Sequence, residues 1–172
     1  MGQAPEELTA FCRAEWPRLV GALCLMSGDL ELAKELAQET VVRICRNWRR
    51  VRRMEAPGAW AHRVAMNLAR SHFRHLKVTE RVHAHLALSG EAIDASDLDG
   101  AIAVRAAVAE LPERQRMAIV LRYFVDLSVR DTAEVMRCPE GTVKTLTFEA
   151  IRNLRERDVL ASESALEVDD AG

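Results

Sequence analysis

Apolar side chains recur every three or four positions along most of this sequence, and no long stretch alternates apolar and polar residues with a β period. Such spacing is typical of amphipathic helices. It predicts helices over residues 3–28, 30–48, 59–76 and 101–111, followed by a group of shorter helices over 111–157. The pattern therefore predicts an all-α protein.

Turn-forming and polar residues mark where these helices begin and end. Pro17 lies inside the first helix and predicts a kink or a boundary there. Asp29 is suited to cap the second helix, and Pro57 with Gly58 breaks the chain ahead of the third. Residues 89–100, SGEAIDASDLDG, are acidic and turn-prone, which predicts a flexible linker between two small domains.

The segment 111–157 has the form helix, break, helix, tight turn, helix. Pro112 can open its first helix, and Ser128 followed by Asp131 resembles a capping box at the start of the second. Residues 137–141, RCPEG, form the turn. Two short helices joined in this way are typical of a helix-turn-helix unit, whose second helix can enter the DNA major groove. An ordinary helical hairpin is the alternative on spacing alone.

Composition and charge point to a polyanion as a partner. Of the 172 residues 49% are apolar but only 5% are aromatic, so the core must be mainly aliphatic. The net charge of −2 hides a basic block, because residues 43–81 contain eleven basic and two acidic side chains. This block includes the arginine-rich stretch 49–53, predicted to be a loop. Such a block is typical of a nucleic-acid-binding face, although it could also be a solvated surface.

The sequence gives little support for a metal, redox, catalytic or membrane-spanning site. The four cysteines are scattered without a CxxC pair, and the histidines lack metal-ligand spacing, so we predict reduced thiols and neither metal nor cofactor. No catalytic arrangement of acids, Ser/His/Asp or a Gly-rich phosphate loop is visible, so we predict a protein that is not an enzyme. Without a signal peptide or an apolar span, it is predicted to be cytoplasmic and to make no membrane contact.

Three stretches resemble a known family. LPERQRMAIVLRYFVDLSVRDTAEVMRCPEGTVK resembles region four of bacterial sigma factors, most closely the two-domain extracytoplasmic-function (ECF) group. LAKELAQETVVRICRNW and AWAHRVAMNLARSHFRH are similar to the polymerase-docking helix and the strand-opening, −10-reading helix of region two. The resemblance implies promoter-specific initiation with core RNA polymerase and promoter DNA as partners, and an anti-sigma factor as a candidate regulator.

The resemblance also implies a domain map. Residues 1–82 would be region two, 83–100 the linker, and 101–158 a region four that carries the helix-turn-helix unit. Residues 159–172 would form an acidic tail, which we predict to be frayed.

On the helix predicted over 30–48, the resemblance assigns polymerase docking to four polar residues. These are Glu35, Gln38, Glu39 and Arg43, all lying off the apolar stripe. The family usually has another acid where Lys34 stands, so that part of the contact differs here. A solvated polar face is the alternative for these side chains.

On the helix predicted over 59–76, a basic row points to DNA. Arg63, Asn67, Arg70 and Arg74 follow steps of four, three and four, which place them on one helix face. Such a row can follow a phosphate backbone, while Asn67 can both donate to and accept from a base. Trp60 can stack on a base of the melted −10 strand, or it can belong to the core.

In the second domain the predicted DNA contacts are Arg130, Thr142, Lys144 and Thr145, because helix N-terminal residues reach the bases in such units. Leu146 stands where the family usually has arginine, and Glu149 where it usually has a basic residue. Both changes remove positive charge from this helix, which predicts weak −35 binding. Two alternatives stay open: a sigma-like interaction module with weakened −35 binding, and a stand-alone helix-turn-helix regulator.

Overall fold

The computed structural model describes the backbone of residues 6–80 and 98–169, and the side chains of 6–73 and 104–156. Every regular element in these ranges is helical, which confirms the all-α prediction. The helices are α1 (Glu6–Ser27), α2 (Leu30–Val51), α3 (Pro57–Glu80), α4 (Leu98–Ala109), α5 (Glu113–Ile119), α6 (Val129–Met136) and α7 (Glu140–Asp169). A π-helical turn, Val120–Phe124, lies between α5 and α6.

The first domain is a bundle of α1, α2 and α3. Asp29 caps α2 as predicted, since its carboxylate accepts from the backbone N–H groups of Glu31 and Leu32 at 2.9 and 3.1 Å. Small buried residues on α2 and α3 allow close packing around larger apolar side chains. The small ones are Ala33, Ala37, Ala61, Ala65 and Ala69, and the larger ones include Leu19, Leu23, Ile44 and Met66.

Several helix bounds differ from the prediction. Helix α1 continues through Pro17, so the alternative of a boundary there is excluded. Helix α2 extends to Val51, so most of the predicted basic loop is helical. Pro57 begins α3 instead of preceding it, because a proline at the first helical position loses no hydrogen bond.

The second domain contains the predicted helix-turn-helix unit, formed by α6 and the start of α7. Ser128 caps α6: its hydroxyl accepts from the N–H of Asp131 at 3.0 Å and donates to the Asp131 carboxylate at 2.7 Å. Arg137 ends α6 in the left-handed conformation, with φ of 53°. Val143 of α7 is fully buried against the other helices.

The sequence pattern predicted one helix that opens at Pro112 and continues to the first break, but the structure has α5 followed by the π-helical turn. The N–H of Val125 donates to the carbonyl of Val120 at 2.9 Å, an i→i+5 hydrogen bond. Phe124 consequently points away from the core of its own domain, and its ring contacts Gly21 of α1.

The helices at the two ends of the second domain extend further than predicted. Most of the predicted linker falls in residues 81–97, which lie outside the described residues, and α4 begins at Leu98, before the predicted domain start. The prediction of a frayed tail is wrong as far as Asp169, because α7 continues to that residue. Residues 158–169 contain neither Gly nor Pro and are rich in helix-forming Ala, Leu and Glu, which favours continuation.

Candidate polymerase and promoter interfaces

The predicted docking residues form an exposed ridge on α2. Glu35, Gln38, Glu39 and Arg43 are all exposed, as their spacing predicted. Glu39 accepts from Arg43 Nε at 3.1 Å, an i,i+4 pair along the helix. Lys34, the departure from the family pattern, pairs with Glu31 at 2.6 Å.

The opposite side of α2 holds this ridge in place. Thr40 and Ile44 are fully buried, and the Thr40 hydroxyl donates to the carbonyl of Leu36 at 2.8 Å. Trp48 packs against Phe11 of α1 with 5.3 Å between ring centroids. Since a rigid helix presents its exposed side chains in a fixed geometry, the ridge is suited to bind a complementary protein surface.

The basic row of α3 faces the second domain in this structure. Arg63, Asn67 and Arg70 are half-buried, and Arg74 belongs to α3 with its side chain outside the described set. Arg63 Nη2 lies 3.3 Å from Glu134 of α6, and Arg70 Nε lies 3.9 Å from Glu113 of α5. Arg63 thus lies beside the helix-turn-helix unit, and Arg70 lies beside α5.

Trp60 combines the two roles that the sequence left open. Its ring packs against the hydrophobic core, yet it also lines a cleft between the two domains. The cleft has a volume of about 540 Å³, and its walls include the basic residues Arg50, Arg63 and Arg130.

A buried polar pair behind α3 was missed from the sequence. His62 is fully buried, and its Nε2 lies 3.4 Å from Oε2 of Glu15, which is itself buried in α1. The nearby His62 lowers the pKa of Glu15, against the opposing effect of burial, with a further contribution from Arg18. Arg18 lies 3.5 Å from Glu15 and also donates to the carbonyl of Val125 in the second domain. The only local signal was that His62 lies on the same side of α3 as Ala65 and Ala69.

The predicted contacts in the helix-turn-helix unit are accessible. Lys144 and Thr145 are exposed near the start of α7, and Thr142 is half-buried. The Thr145 hydroxyl donates to the carbonyl of Gly141 at 3.1 Å. The Arg130 side chain is 69% exposed, with Nε 3.8 Å from Oε1 of Glu134.

The two unusual residues near the start of α7 do not share the exposed side of Lys144 and Thr145. Leu146 is half-buried and packs against the hydrophobic core. Glu149 accepts a hydrogen bond from Gln115 of α5 at 3.2 Å, and Gln115 in turn accepts from Asn153 at 2.9 Å. Leu146 thus lies on the inward stripe with Val143 and Ala150, and Glu149 pairs with α5, so neither side chain is free on the outside of α7. Weak −35 binding stays a prediction.

Phe148 is an exposed aromatic residue that the sequence analysis did not select. It is 68% exposed and lies three residues after Thr145, on the same side of α7. The signal was present in the spacing, since Val143, Leu146 and Ala150 form the inward stripe and leave Phe148 outside it.

The described part of the chain contains neither a group of side chains suited to a metal ion nor a disulfide. No group of three or more His, Cys, Asp or Glu is placed to hold a metal ion there; His83 and His85 lie outside the described residues. The cysteines are free thiols, and burial raises the pKa of Cys12 to about 11. None of the helices in the described ranges is long and apolar enough to cross a membrane.

Both domains match models of one protein family, and the two matches follow each other along the chain. Residues 12–79 match sigma-70 region 2, and residues 101–154 match sigma-70 region 4. The chain is an ECF sigma factor of the sigma-70 family. As a sigma factor it directs promoter-specific transcription initiation by binding core RNA polymerase and promoter DNA.

Individual relatives agree with this assignment. The sigma factor is 28% identical to the RNA polymerase sigma-H factor of Pseudomonas aeruginosa over 150 residues, covering 77% of this chain and 76% of that protein. It is 26% identical to the ECF RNA polymerase sigma factor SigW of Bacillus subtilis over 148 residues, covering 77% and 78%. Sigma factors are regulatory proteins and not enzymes. The alternative of a sigma-like module with weakened DNA binding is not favoured.

A solved structure shares the fold. It is the sigma factor RpoE from Bartonella quintana in complex with the anti-sigma factor NepR, with a TM-score of 0.79 at 20% identity. The match covers 88% of this chain and 96% of that one, so it includes both domains.

Proposed function

We propose that this sigma factor docks on core polymerase through the α2 ridge formed by Glu35, Gln38, Glu39 and Arg43. Support comes from the exposure of all four side chains on a helix whose other side is fully packed. Region two would comprise residues 1–82, and region four residues 101–158. Because core polymerase works in the cytoplasm, the protein would act there, changing promoter choice without doing chemistry itself.

The −10 element would be read by α3. Arg63, Arg70 and Arg74 would follow the phosphates of the melted strand, Asn67 would contact a base edge, and Trp60 would stack on a base. The observation that supports this role is the position of Trp60 and Arg63 of α3 in the wall of a cleft that also contains Arg50 and Arg130.

The −35 element would be read by the helix-turn-helix unit. Thr142, Lys144 and Thr145 would reach the major groove, and Arg130 would contact the backbone from α6. Phe148 extends the exposed side of α7 beyond Thr145 and would touch a thymine methyl group. The observation that carries the whole proposal is this outward row on α7, combined with a separate docking helix in the other domain.

Transcription in a reconstituted system tests the proposal. Core polymerase with this protein is expected to initiate at a defined set of start sites in genomic DNA, whereas core polymerase alone is not. Co-purification with core polymerase separates this function from that of a stand-alone DNA-binding regulator. Polymerase binding without any specific start site would contradict the promoter-reading role.

Removing one methyl group tests the role of Phe148. Replacing a −35 thymine by uracil is expected to weaken binding of the holoenzyme about fourfold, because about 0.8 kcal/mol of apolar contact is lost. The Phe148→Ala protein is expected to bind both promoters with the same, weaker affinity. Competitive filter binding measures both effects, and an equal uracil penalty in the two proteins at every −35 thymine would exclude the contact.

An anti-sigma factor is a further proposed partner. The RpoE structure that shares this fold holds such a regulator, and the same two-domain fold is present here. Affinity capture on the full chain, followed by loss of transcription when the captured protein is added back, would identify it.

A further inference from the structure

The two domains contact each other through faces proposed to bind DNA. Arg63 of α3 belongs to the proposed −10 surface, and Arg130 of α6 to the proposed −35 surface. Glu134 lies between them: its Oε2 is 3.3 Å from Arg63 Nη2, and its Oε1 is 3.8 Å from Arg130 Nε. Each oxygen of one carboxylate therefore faces an arginine from a different domain.

This arrangement resembles the way guanidinium groups bind a phosphate. A carboxylate and a phosphate both present charged oxygens to the planar donors of arginine. The surrounding cleft supplies Trp60 and a third arginine, Arg50. The cleft also contains Glu55 and Asp131, but Glu134 is the acid that lies within 4 Å of both Arg63 and Arg130.

One further interdomain pair involves the basic row of α3, since Arg70 Nε lies 3.9 Å from Glu113 of α5. The remaining contacts lie away from this surface. Arg116 of α5 donates to the carbonyl of Met26 at 2.9 Å, and Arg18 of α1 donates to that of Val125. The ring of Phe124 lies against Gly21, where an added Cβ would collide with it. These contacts bring the domains together without covering the arginines of the cleft.

The closed arrangement cannot bind both promoter elements at once. The −10 and −35 elements are separated by about 25 base pairs, or about 85 Å at about 3.4 Å per base pair. In the structure, α3 and α6 are close enough for their side chains to pair at 3.3 Å. The domains must separate before both elements are engaged.

We propose that Glu134 is an internal substitute for promoter phosphate. In the free protein it ties Arg63 to Arg130, which favours the closed arrangement and keeps both arginines from DNA. When polymerase separates the domains, the DNA backbone replaces the carboxylate. This inference rests on the proposed function, because it takes Arg63 and Arg130 to be DNA contacts.

The exposure of the three side chains sets the size of the effect. Arg63, Glu134 and Arg130 are 36, 52 and 69% exposed, so solvent screens the charges. An ion pair of this kind shifts an equilibrium by about two- to fivefold. Glu134 would therefore bias the free protein towards the closed form and still allow polymerase to open it.

Two neutral substitutions in the full chain test the inference. Glu134→Gln removes the tie, while Glu156→Gln removes the same charge from the same domain at a residue that pairs with Arg152 of its own helix. Single-molecule energy transfer between dyes at the exposed positions Arg49 and Arg155 measures domain separation. Fluorescence anisotropy with a forked promoter DNA measures binding by the free protein.

Glu134→Gln is expected to raise the ratio of open to closed protein about two- to fivefold and to increase affinity for the fork by a similar factor. Glu156→Gln is expected to leave the domain separation unchanged. Its DNA affinity measures the increase that comes from the loss of one negative charge alone. The double variant Arg63→Glu with Glu134→Arg is expected to be more closed than Glu134→Arg alone, since the pair between these two positions forms again with its signs reversed.

Equal domain separation in the Glu134→Gln and Glu156→Gln proteins would overturn the inference. It would also be overturned if Glu134→Gln opened the protein without a larger gain in DNA affinity than Glu156→Gln. Transcription by holoenzyme carrying Arg63→Ala separates this failure from failure of the proposed function. If that variant transcribed normally, Arg63 would not contact DNA, and Glu134 would be a structural tie instead of a phosphate substitute.

Discussion

Replacing Glu15 by glutamine is expected to lower the free energy of unfolding of the first domain by about 2 kcal/mol at neutral pH, because a charged acceptor is lost from a buried site. Glu15 faces the fully buried His62 at 3.4 Å and Arg18 at 3.5 Å. Glutamine has nearly the same shape but lacks the charge that both partners face. Urea unfolding followed by tryptophan fluorescence measures this domain selectively, since Trp16, Trp48 and Trp60 all belong to it.

The effect should depend on pH in a defined direction. Because the nearby His62 lowers the pKa of Glu15, the carboxylate stabilises the fold above its ordinary pKa of 4.5. This contribution is lost as the pH falls from that value through the lower pKa of the folded state. The gap between wild type and Glu15→Gln should narrow there, whereas Glu31→Gln, in an exposed pair, should show little gap at any pH. A gap that stays constant down to pH 3 would show that the charge contributes nothing.

Reversing the charge of Glu39 is expected to weaken binding to core polymerase at least about tenfold, or about 1.4 kcal/mol. Reversal places like charges together in an interface that is complementary in the wild type. The fold should survive, because Glu39 is exposed and its surface pair with Arg43 contributes less than about 1 kcal/mol. Binding of labelled core polymerase to immobilised full-length protein measures the change.

A matched reversal separates docking from general electrostatics. Glu7→Lys makes the same change of charge in the same domain, on α1, at a residue that pairs with Arg52. It is expected to change polymerase affinity less than about twofold. If Glu39→Lys and Glu7→Lys weakened binding equally, the α2 ridge would not be the docking site.

Local patterns predicted the local structure well. Asp29 and Ser128 cap their helices because a short side chain with an oxygen, placed just before a helix, can accept hydrogen bonds from the free backbone N–H groups of its first turn. The exposure of Glu39 and Lys144 follows from helical periodicity alone. Such features depend on neighbours within about one helical turn, so the sequence carries them directly.

Contacts between distant segments could not be read in the same way. Arg63 and Glu134 are 71 residues apart, and nothing near either one specifies the other. His62 and Glu15 pair inside a core where the sequence pattern predicts only apolar side chains. The same holds for Glu149. Its departure from the family pattern is visible in the sequence, but its hydrogen-bond partner, Gln115, lies on another helix.

The π-helical turn Val120–Phe124 also constrains how this segment can vary in length. A π-helical turn holds one residue more than an α-helical turn, so deleting a single residue there would restore ordinary α-helical register. The side chains beyond the deletion would keep nearly the same direction, because the π-helical turn absorbs the additional residue, but the turn itself would tighten and move Phe124 from its place against Gly21. Insertions and deletions at this point would therefore alter how the two domains meet while leaving the sequence of the recognition helix unchanged.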